Sequence, residues 1–255
     1  RNIVWFRRDL RLSDHPALLA AIKDSDEIVP VFILDKTQIA QAGENLLAYM
    51  SQSLRALDES LGNRLHIIEG DQIEVLNELI KIYGVSEVHI STEYERYGAQ
   101  RDERVEKSGI KLVRTGSPYA VAPGRVLKPS DGTPYRVYTP FYRAWCVHGW
   151  RAPAKTPKVI NAPKPPKKYR AFPDFIVPAG VVLTQAGEAA AQARAQEATR
   201  GERERQGKGE GKRAGRGRRW RRQKEEEEES CRVLPCCFIL VLYTHTSSSS
   251  ISLSC

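Results

Sequence analysis

Residues 2–18 read NIVWFRRDLRLSDHPAL, and this stretch decides the fold of the chain. Its first five residues are β-branched and aromatic, and they alternate too little for a strand with one face in water. A polar loop, RRDLR, follows the strand. Pro16 then fits the first turn of a helix, with Ser13 or Asp14 as the N-terminal cap. A strand, a polar loop and a helix in this order are typical of a sheet that is covered by helices.

Four further runs have the same strand-like character. They are EIVPVFIL (27–34), LHII (65–68), EVHIS (87–91) and KLVRT (111–115). Segments with helical patterning separate them, so that strand and helix alternate five times. This alternation predicts an α/β fold with a five-stranded, doubly wound parallel sheet of the Rossmann-like kind. We expect the strand order 3-2-1-4-5.

Two of the intervening segments carry apolar stripes at helical spacing. The first stripe consists of Leu47, Met50, Leu54, Leu57 and Leu61. The second consists of Ile73, Leu76, Leu79, Ile80 and Tyr83. Asp71 precedes the second stripe and, with Glu74 three residues on, predicts a capped helix start. Each stripe predicts a helix that packs one face on the sheet.

The composition changes after residue 150. Residues 151–180 contain many Pro and Lys residues and predict a linker without regular helix or sheet. Residues 181–255 are low in complexity, and we expect a disordered or artefactual tail, although 185–199 is Ala-rich and competent to form a helix. The expected domain organisation is therefore an α/β domain over 1–150, a linker over 151–180 and a tail over 181–255.

The net charge of +9 is distributed unevenly. Residues 1–150 contain 19 Lys and Arg against 20 Asp and Glu, whereas residues 151–255 contain 21 against 11. The α/β domain therefore gives no electrostatic argument for binding nucleic acid. A binding module that holds RNA or DNA through its basic tail is the alternative function.

The sequence also bears on membranes, metals and compartment. The apolar run 233–243 is interrupted by Pro235 and is much shorter than the roughly 20 residues that cross a bilayer, so we expect no membrane contact. The five cysteines include no C-x-x-C pair, and no His has a metal-ligand spacing, so no metal site is predicted. We expect an intracellular location, without a choice between nucleus, chloroplast and bacterial cytoplasm.

A ligand crevice is expected where the order of the strands reverses. In open α/β sheets ligands lie there, beyond the carboxyl ends of the strands. The expected order places the loops RRDLR (7–11) and EYERYGAQRD (93–102) at this position. Neither contains G-x-G-x-x-G or a P-loop, so binding of dinucleotides or nucleoside triphosphates by those motifs is not predicted. A flat conjugated ligand stacked on Tyr94 or Tyr97 suits the loops better. The alternative is that their Arg and Asp side chains only form ion pairs at the strand ends.

A second dense feature is the aromatic segment PYRVYTPFYRAW (134–145). Its aromatic side chains, interleaved with Arg136 and Arg143, could stack nucleic-acid bases. Packing across a core or a domain boundary is the interpretation we favour.

Three segments together carry a resemblance to a known family. They are NIVWFRRDLRLSDHPAL (2–18), VFILD (31–35) and DGTPYRVYTPFYRAW (131–145). In this order and spacing, residues 1–150 resemble the amino-terminal α/β domain of DNA photolyases and cryptochromes.

The resemblance implies a function in the use of light. Members of the family repair pyrimidine dimers or sense blue light through FAD in a helical domain, and the α/β domain of many members carries an antenna pigment. Nothing after residue 180 is similar to the FAD domain. We therefore expect no catalytic residue and no repair activity from this chain alone, contact with DNA only through the missing helical domain, and a monomer.

The resemblance also bears on the pigment. Members that use folate have an Asn-Glu pair where Tyr97 and Gly98 stand, which favours a deazaflavin or a flavin over folate. Leu46 stands where deazaflavin-binding members have an Arg, so an empty pocket is the alternative. The residues expected to contact the pigment are Arg7, Asp9, Asp35, Lys36, Thr37, Glu95, Tyr97, Gly98, Arg101 and Asp102.

Overall fold

The centre of the molecule is a sheet of five parallel strands. The computed structural model describes residues 1–209, with side chains through residue 200. The strands are β1 (Asn2–Phe6), β2 (Ile28–Leu34), β3 (His66–Glu69), β4 (Glu87–Ile90) and β5 (Leu112–Arg114). They pair in the order β3-β2-β1-β4-β5. The predicted fold class and strand order are confirmed.

Helices cover both faces of the sheet. They are α1 (Pro16–Lys23), α2 (Lys36–Gln41), α3 (Glu44–Ser60), α4 (Gln72–Tyr83), α5 (Arg96–Lys107), α6 (Tyr138–His148) and α7 (Glu188–Gly209). Phe6 of β1 shares one buried cluster with Leu18 of α1 and Leu54 of α3. Ile3 of the same strand shares the opposite cluster with Leu76 of α4. Since both faces are buried, the strands have no need of polar residues at alternate positions.

The N-terminal cap of α1 differs from the prediction. His15 is the cap, and its Nδ1 accepts a hydrogen bond from the backbone N–H of Leu18 at 3.1 Å. Asp14 has a left-handed backbone, with φ of 47°, whereas a capping residue is normally extended. The expectation of Ser13 or Asp14 as the cap was therefore wrong, although the proline in the first turn is as predicted.

The cap of α4 is confirmed. The carboxylate of Asp71 accepts hydrogen bonds from the backbone N–H groups of Ile73 at 2.8 Å and Glu74 at 3.4 Å. At its other end α4 stops at Gly84, which has the left-handed conformation that terminates many helices.

A short helix, α2, was not predicted. It begins directly after β2, and Asp35 caps it by accepting a hydrogen bond from the backbone N–H of Thr37 at 2.9 Å. The cap fixes the Asp35 carboxylate at the carboxyl end of β2.

Residues 151–180 pack on the α/β domain. They are almost wholly irregular, apart from one 3-10 turn at Lys167–Tyr169. Arg170 forms an isolated parallel bridge with Ile67 of the edge strand β3, and the next N–H, of Ala171, donates to the Ile67 carbonyl at 3.0 Å. Ala162 and Tyr169 are buried. We call residues 160–173 the strap, because they cover backbone groups that an edge strand otherwise leaves open. The domain boundary at residue 150 stays a prediction.

The aromatic side chains of α6 stack on one another along the helix. Ring centroids are 5.7 Å apart for Tyr138 and Tyr142, 6.4 Å for Tyr142 and Trp145, and 5.1 Å for Trp145 and Trp150. α6 contains no buried residue. The aromatic residues therefore do not pack into the described core.

The last part of the chain contains the helix α7. The Ala-rich stretch that was predicted to be competent for a helix lies largely within it. The prediction of a disordered tail falls mainly on residues 210–255, which lie outside the described residues.

One further observation concerns membranes. In the described part of the chain, no helix combines the length and the apolar character that crossing a membrane requires.

Candidate functional site

A crevice opens at the carboxyl ends of β1, β2 and β4, where the order of the strands reverses. Its cavity volume is about 60 Å³, room for a few waters. The lining residues are Trp5, Phe6, Arg7, Arg8, Phe32, Ile33, Asp35, Gln38, Gln72, Glu93, Tyr97, Gly98 and Arg101. The site thus lies where the strand order predicted it.

Two arginines form the inner wall, and an aspartate behind them holds both. Arg7 Nη1 donates to Asp102 Oδ1 at 2.6 Å, and Arg101 Nη2 donates to the same oxygen at 3.0 Å. The two guanidinium groups also lie over the ring of Trp5, at 5.3 Å and 4.9 Å from its centroid. Burial and the neighbouring Arg7 lower the pKa of Arg101. Arg7 Nε also lies 4.0 Å from Glu93 Oε1, so that two buried guanidinium groups face two buried carboxylates. These ion pairs hold the two arginine side chains in place.

A second polar group lies at the outer side of the crevice. The Tyr97 hydroxyl donates to Asp35 Oδ2, and Gln72 Nε2 donates to the same oxygen at 2.7 Å. Burial opposes ionisation of Asp35, but the hydrogen bonds from Tyr97, Thr37 and Gln72 outweigh it and lower the pKa of the carboxyl. Burial and the bond to Asp35 raise the pKa of Tyr97 to about 12. Asp35 is therefore an ionised hydrogen-bond acceptor, and the Tyr97 phenol occupies one of its oxygens.

Arg8 connects the first loop to the loop after β4. Its Nη1 donates to Glu95 Oε1 at 2.8 Å, and its Nε lies 3.5 Å from Glu93 Oε2. Burial disfavours the charge on Arg8, but these two carboxylates outweigh it and raise the pKa. Gly98 lies so close that a Cβ on it would be 2.8 Å from Glu93 Oε2. A glycine at this position lets the Glu93 side chain lie against α5.

The structure brings half of the predicted pigment-contacting residues to the crevice wall. Those that line it are Arg7, Asp35, Tyr97, Gly98 and Arg101. Those that do not are Asp9, Lys36, Thr37, Glu95 and Asp102. Of these, Asp102 and Glu95 hold lining arginines in place. Lys36 points instead to Glu69, with Nζ 3.2 Å from Oε1.

Asp9 belongs to a buried group below the crevice. It accepts a hydrogen bond from the Ser91 hydroxyl, and its Oδ2 lies 3.2 Å from His15 Nε2. Burial opposes ionisation, but His15, Ser91 and the nearby arginines together lower the pKa of Asp9. Burial lowers the pKa of His15. This group ties the first loop to the cap of α1, so Asp9 has a structural role in the free protein.

Sequence reasoning did not select four polar lining residues. They are Arg8, Gln38, Gln72 and Glu93. Gln72 begins α4, shortly after β3. Because the predicted order placed β3 next to β2, Gln72 could have been predicted to lie near the end of β2 and hence near the crevice. Glu93 and Arg8 lie within loops that were predicted to line the crevice. Among the described residues, no group of three or more His, Cys, Asp or Glu side chains is arranged to hold a metal ion.

The sequence profile of DNA photolyases matches residues 2–161. This match covers the whole sheet and the first part of the strap. The chain belongs to the DNA photolyase family. The resemblance carried by the three quoted segments is thereby confirmed.

Curated relatives match the same region of this photolyase-family chain. It is 35% identical over 172 residues to the deoxyribodipyrimidine photo-lyase of Streptomyces griseus, covering 63% of this chain and 38% of the relative. It is 31% identical over 150 residues to cryptochrome-2 of Gallus gallus, covering 55% of this chain and 26% of the relative. The chain thus spans 38% of the length of the first relative and 26% of the second. Both photolyases and cryptochromes are similar to it.

Solved structures of the family share the fold. The bacterial class III photolyase of Agrobacterium tumefaciens matches with a TM-score of 0.62 and 30% identity, covering 77% of this chain and 44% of that one. The archaeal photolyase of Sulfolobus tokodaii, solved with two FAD molecules, matches with a TM-score of 0.54 and 26% identity, covering 64% of this chain and 38% of that one. In both, the shared part is less than half of the solved chain.

Proposed function

We propose that this chain collects light for a photolyase or cryptochrome by holding an antenna pigment in the crevice between β1, β2 and β4. A bound pigment would absorb near-ultraviolet or blue light and pass the energy to FAD. Asp35, Tyr97, Arg8 and Arg101 would hold the pigment.

The observation that carries this proposal is the convergence of these groups at the point where the strand order reverses. Three separate strand ends supply an ionised acceptor, a phenol and two guanidinium groups around an aromatic floor that contains Phe32. These groups fit the edge of a flat conjugated ring system, which needs both donors and acceptors. As the side chains stand, the cavity is small. The ring system would enter once the Tyr97 side chain, which is 40% exposed, has swung away from Asp35 and broken its hydrogen bond to that carboxylate.

A deazaflavin or a flavin is the pigment we favour over folate. The Asn-Glu pair of folate-binding members is absent from the start of α5, where Tyr97 and Gly98 stand. The Sulfolobus relative was solved with two FAD molecules, which implicate a novel light-harvesting cofactor in that protein. This second flavin supports the same class of pigment here.

We propose that the repair or signalling reaction itself requires the helical FAD domain of the family in addition to this α/β domain. Curated relatives are more than twice as long as the region they share with this chain. We propose that the 255 residues bind pigment without cleaving pyrimidine dimers, and that DNA is contacted by the helical part. The monomeric state and the intracellular location stay predictions.

Reconstitution with defined pigments tests this function. The full chain would be mixed with FMN, FAD, a deazaflavin or a methenyl folate, freed of unbound pigment, and its absorption spectrum recorded. We expect retention of the deazaflavin or a flavin, and a loss of at least about tenfold in affinity for Asp35→Asn, because a charge-assisted hydrogen bond is removed. Glu103→Gln, an exposed carboxylate on α5, is the matched control. Failure to retain any pigment would contradict the antenna function and would leave the family membership unchanged.

The basic second part of the chain supports one alternative, a nucleic-acid-binding module. Residues 151–209 contain 12 Lys and Arg against 5 Asp and Glu, and residues 210–255 contain 9 against 6. Binding to a DNA or RNA oligomer would be measured at two salt concentrations, because charge-driven binding weakens steeply with salt. Deletion of residues 181–255, which include the Arg-rich stretch 212–224, should abolish such binding.

A further inference from the structure

The first residue of α7 is held by the loop that leads into α1. The carboxylate of Glu188 accepts hydrogen bonds from the backbone N–H of Leu12 at 2.7 Å and of Ser13 at 3.1 Å. The Ser13 hydroxyl donates to the same carboxylate. We call these three donors of Leu12 and Ser13 the carboxylate notch. Hydrogen bonds to a charged acceptor are about twice as strong as those between neutral groups.

The residue before Glu188 makes an equally specific contact. Gly187 is buried and has φ of +97°, a conformation that side-chain-bearing residues rarely adopt. A Cβ on it would lie 2.5 Å from the Cβ of Ala56 on α3. The backbone at Gly187 therefore lies directly on α3, and no other residue type fits there without displacement.

The remainder of α7 offers little to hold it in place. Among its residues with described side chains, Ala191 is the one that is buried, a single turn after Gly187. A small methyl group contributes little apolar area. The position of α7 therefore depends on the Gly-Glu pair at its start.

We propose that Gly187 and Glu188 form a docking motif that fixes the helical segment after the strap on the α1–α3 face of the α/β domain. The occupant of the notch is the Glu188 carboxylate of the same chain. This inference does not depend on whether the crevice binds a pigment. It assigns residues 181–200, whose composition is that of a low-complexity tail, to the folded protein.

Two observations beyond the contact itself support the assignment. The structural match to the Agrobacterium photolyase covers 77% of the chain, a larger share than residues 2–161 of the family match. The notch also directly follows the loop 7–11 of the crevice, whose first residue is held by Asp102. The loop is thus anchored at one end by α5 and at the other by α7, so docking of α7 also fixes the wall of the crevice.

Amide hydrogen exchange on the full chain tests the proposal. In Glu188→Ala, we expect the Leu12 and Ser13 amides to exchange at least about tenfold faster, since they lose their acceptor. We expect the same for the amides of the first turns of α7, since the helix loses its attachment to the domain. Glu197→Ala changes an exposed glutamate on the same helix and is the matched control. Equal exchange in the two variants would overturn the proposal.

A second variant separates docking from general stability. Gly187→Ala leaves the notch intact but introduces the clash with Ala56, and we expect the same loss of protection in α7 with unchanged protection in β1 and β2. Loss of protection throughout the sheet in either variant would show that the motif supports the domain as a whole, and would overturn a docking role. A dimer that forms through exchange of α7 between two chains, detected by light scattering, would overturn the assignment to the same chain.

Discussion

Arg170 of the strap forms a bidentate ion pair with Asp58 of α3. Nη1 donates to Oδ1 at 2.7 Å and Nη2 donates to Oδ2 at 2.8 Å. Asp58 also accepts a hydrogen bond from the backbone N–H of Leu65 at 3.0 Å. One carboxylate thereby joins α3, the entry to β3 and the strap. Planar pairs of this kind are among the stronger ion pairs in proteins.

Removing the carboxylate should destabilise the domain. We expect Asp58→Ala to lower the free energy of unfolding by about 3 kcal/mol, because the buried Leu65 amide and the Arg170 guanidinium both lose their acceptor. Arg170→Ala should cost less, about 1–2 kcal/mol, since Arg170 is partly exposed and the Leu65 amide still donates a hydrogen bond to the carboxylate. Urea unfolding followed by circular dichroism measures both values.

The control for this pair is Arg55→Ala. Arg55 faces Asp174 at 3.5 Å, and both side chains are largely exposed. Its removal should change stability by less than about 0.5 kcal/mol. A similar cost for Arg55→Ala and Arg170→Ala would contradict the role given to the strap.

His66 should make the domain sensitive to acid. The side chain is fully buried, with Nδ1 3.1 Å from the Pro30 carbonyl and Nε2 2.9 Å from the Tyr83 hydroxyl. Burial lowers the pKa of His66 to about 4, although the bond to Pro30 opposes this shift. The unfolded chain therefore binds a proton at higher pH than the folded chain does. Stability from this residue is fully present above about pH 6.5 and is lost as the pH falls toward 4.

Urea unfolding between pH 7.5 and pH 4 checks the expectation. The wild-type protein should lose up to about 3 kcal/mol more than His66→Gln over this range. His148→Gln, which removes an exposed histidine, should follow the wild-type curve. Parallel curves for wild type and His66→Gln would refute the assignment.

Gly116 should tolerate no side chain. It has φ of +71°, and a Cβ on it would lie 2.8 Å from Cγ and 2.9 Å from Cβ of Pro16, the first residue of α1. We expect Gly116→Ala to cost about 2–4 kcal/mol, because strain in the left-handed region adds to a clash with a rigid ring. Gly84→Ala, with φ of +62° and open space around it, should cost about 1 kcal/mol and is the control. Thermal or urea unfolding would show whether the two costs differ as expected.

The phenol of Tyr97 should titrate more readily once Asp35 loses its charge. Its pKa of about 12 depends on burial and on the bond to Asp35. In Asp35→Asn the pKa should move down toward the usual value near 10. NMR of ring-labelled tyrosine in the full chain can follow this one residue among the ten tyrosines. An unchanged pKa in Asp35→Asn would mean that Tyr97 does not close the crevice.

Much of the fold was predictable, because it rests on patterns that repeat along the chain. A strand buried on both faces must be apolar throughout, and β1 and β2 are recognisable for that reason. The alternation with amphipathic helices then leaves few topologies. The cap of α1 was missed, because histidine is not among the usual capping residues. His15 acts as the cap since it is buried at the start of α1, with its Nδ1 facing the backbone N–H of Leu18.

The candidate site was predictable in location but only partly in membership. The strand order alone places the loops after β1 and β4 side by side. Which side chains face the crevice depends on which partner each charged residue pairs with. Asp102 pairs with Arg7 at the crevice, whereas Lys36 pairs with Glu69 and does not line it. Such choices between partners are made by three-dimensional distance, and spacing in the sequence does not contain them.

The sequence by itself determined the sheet, its order, the crevice and the family, because each depends on local patterning or on motifs of several residues. Only the tertiary structure decided the place of the strap and of α7, whose compositions are those of a linker and a tail. Each is attached by polar contacts to residues far away in the chain, among them Arg170 to Asp58 across 112 residues and Glu188 to Ser13 across 175. A single charged residue has no periodic pattern in the sequence that identifies its partner. The partner can therefore be assigned only from the folded structure.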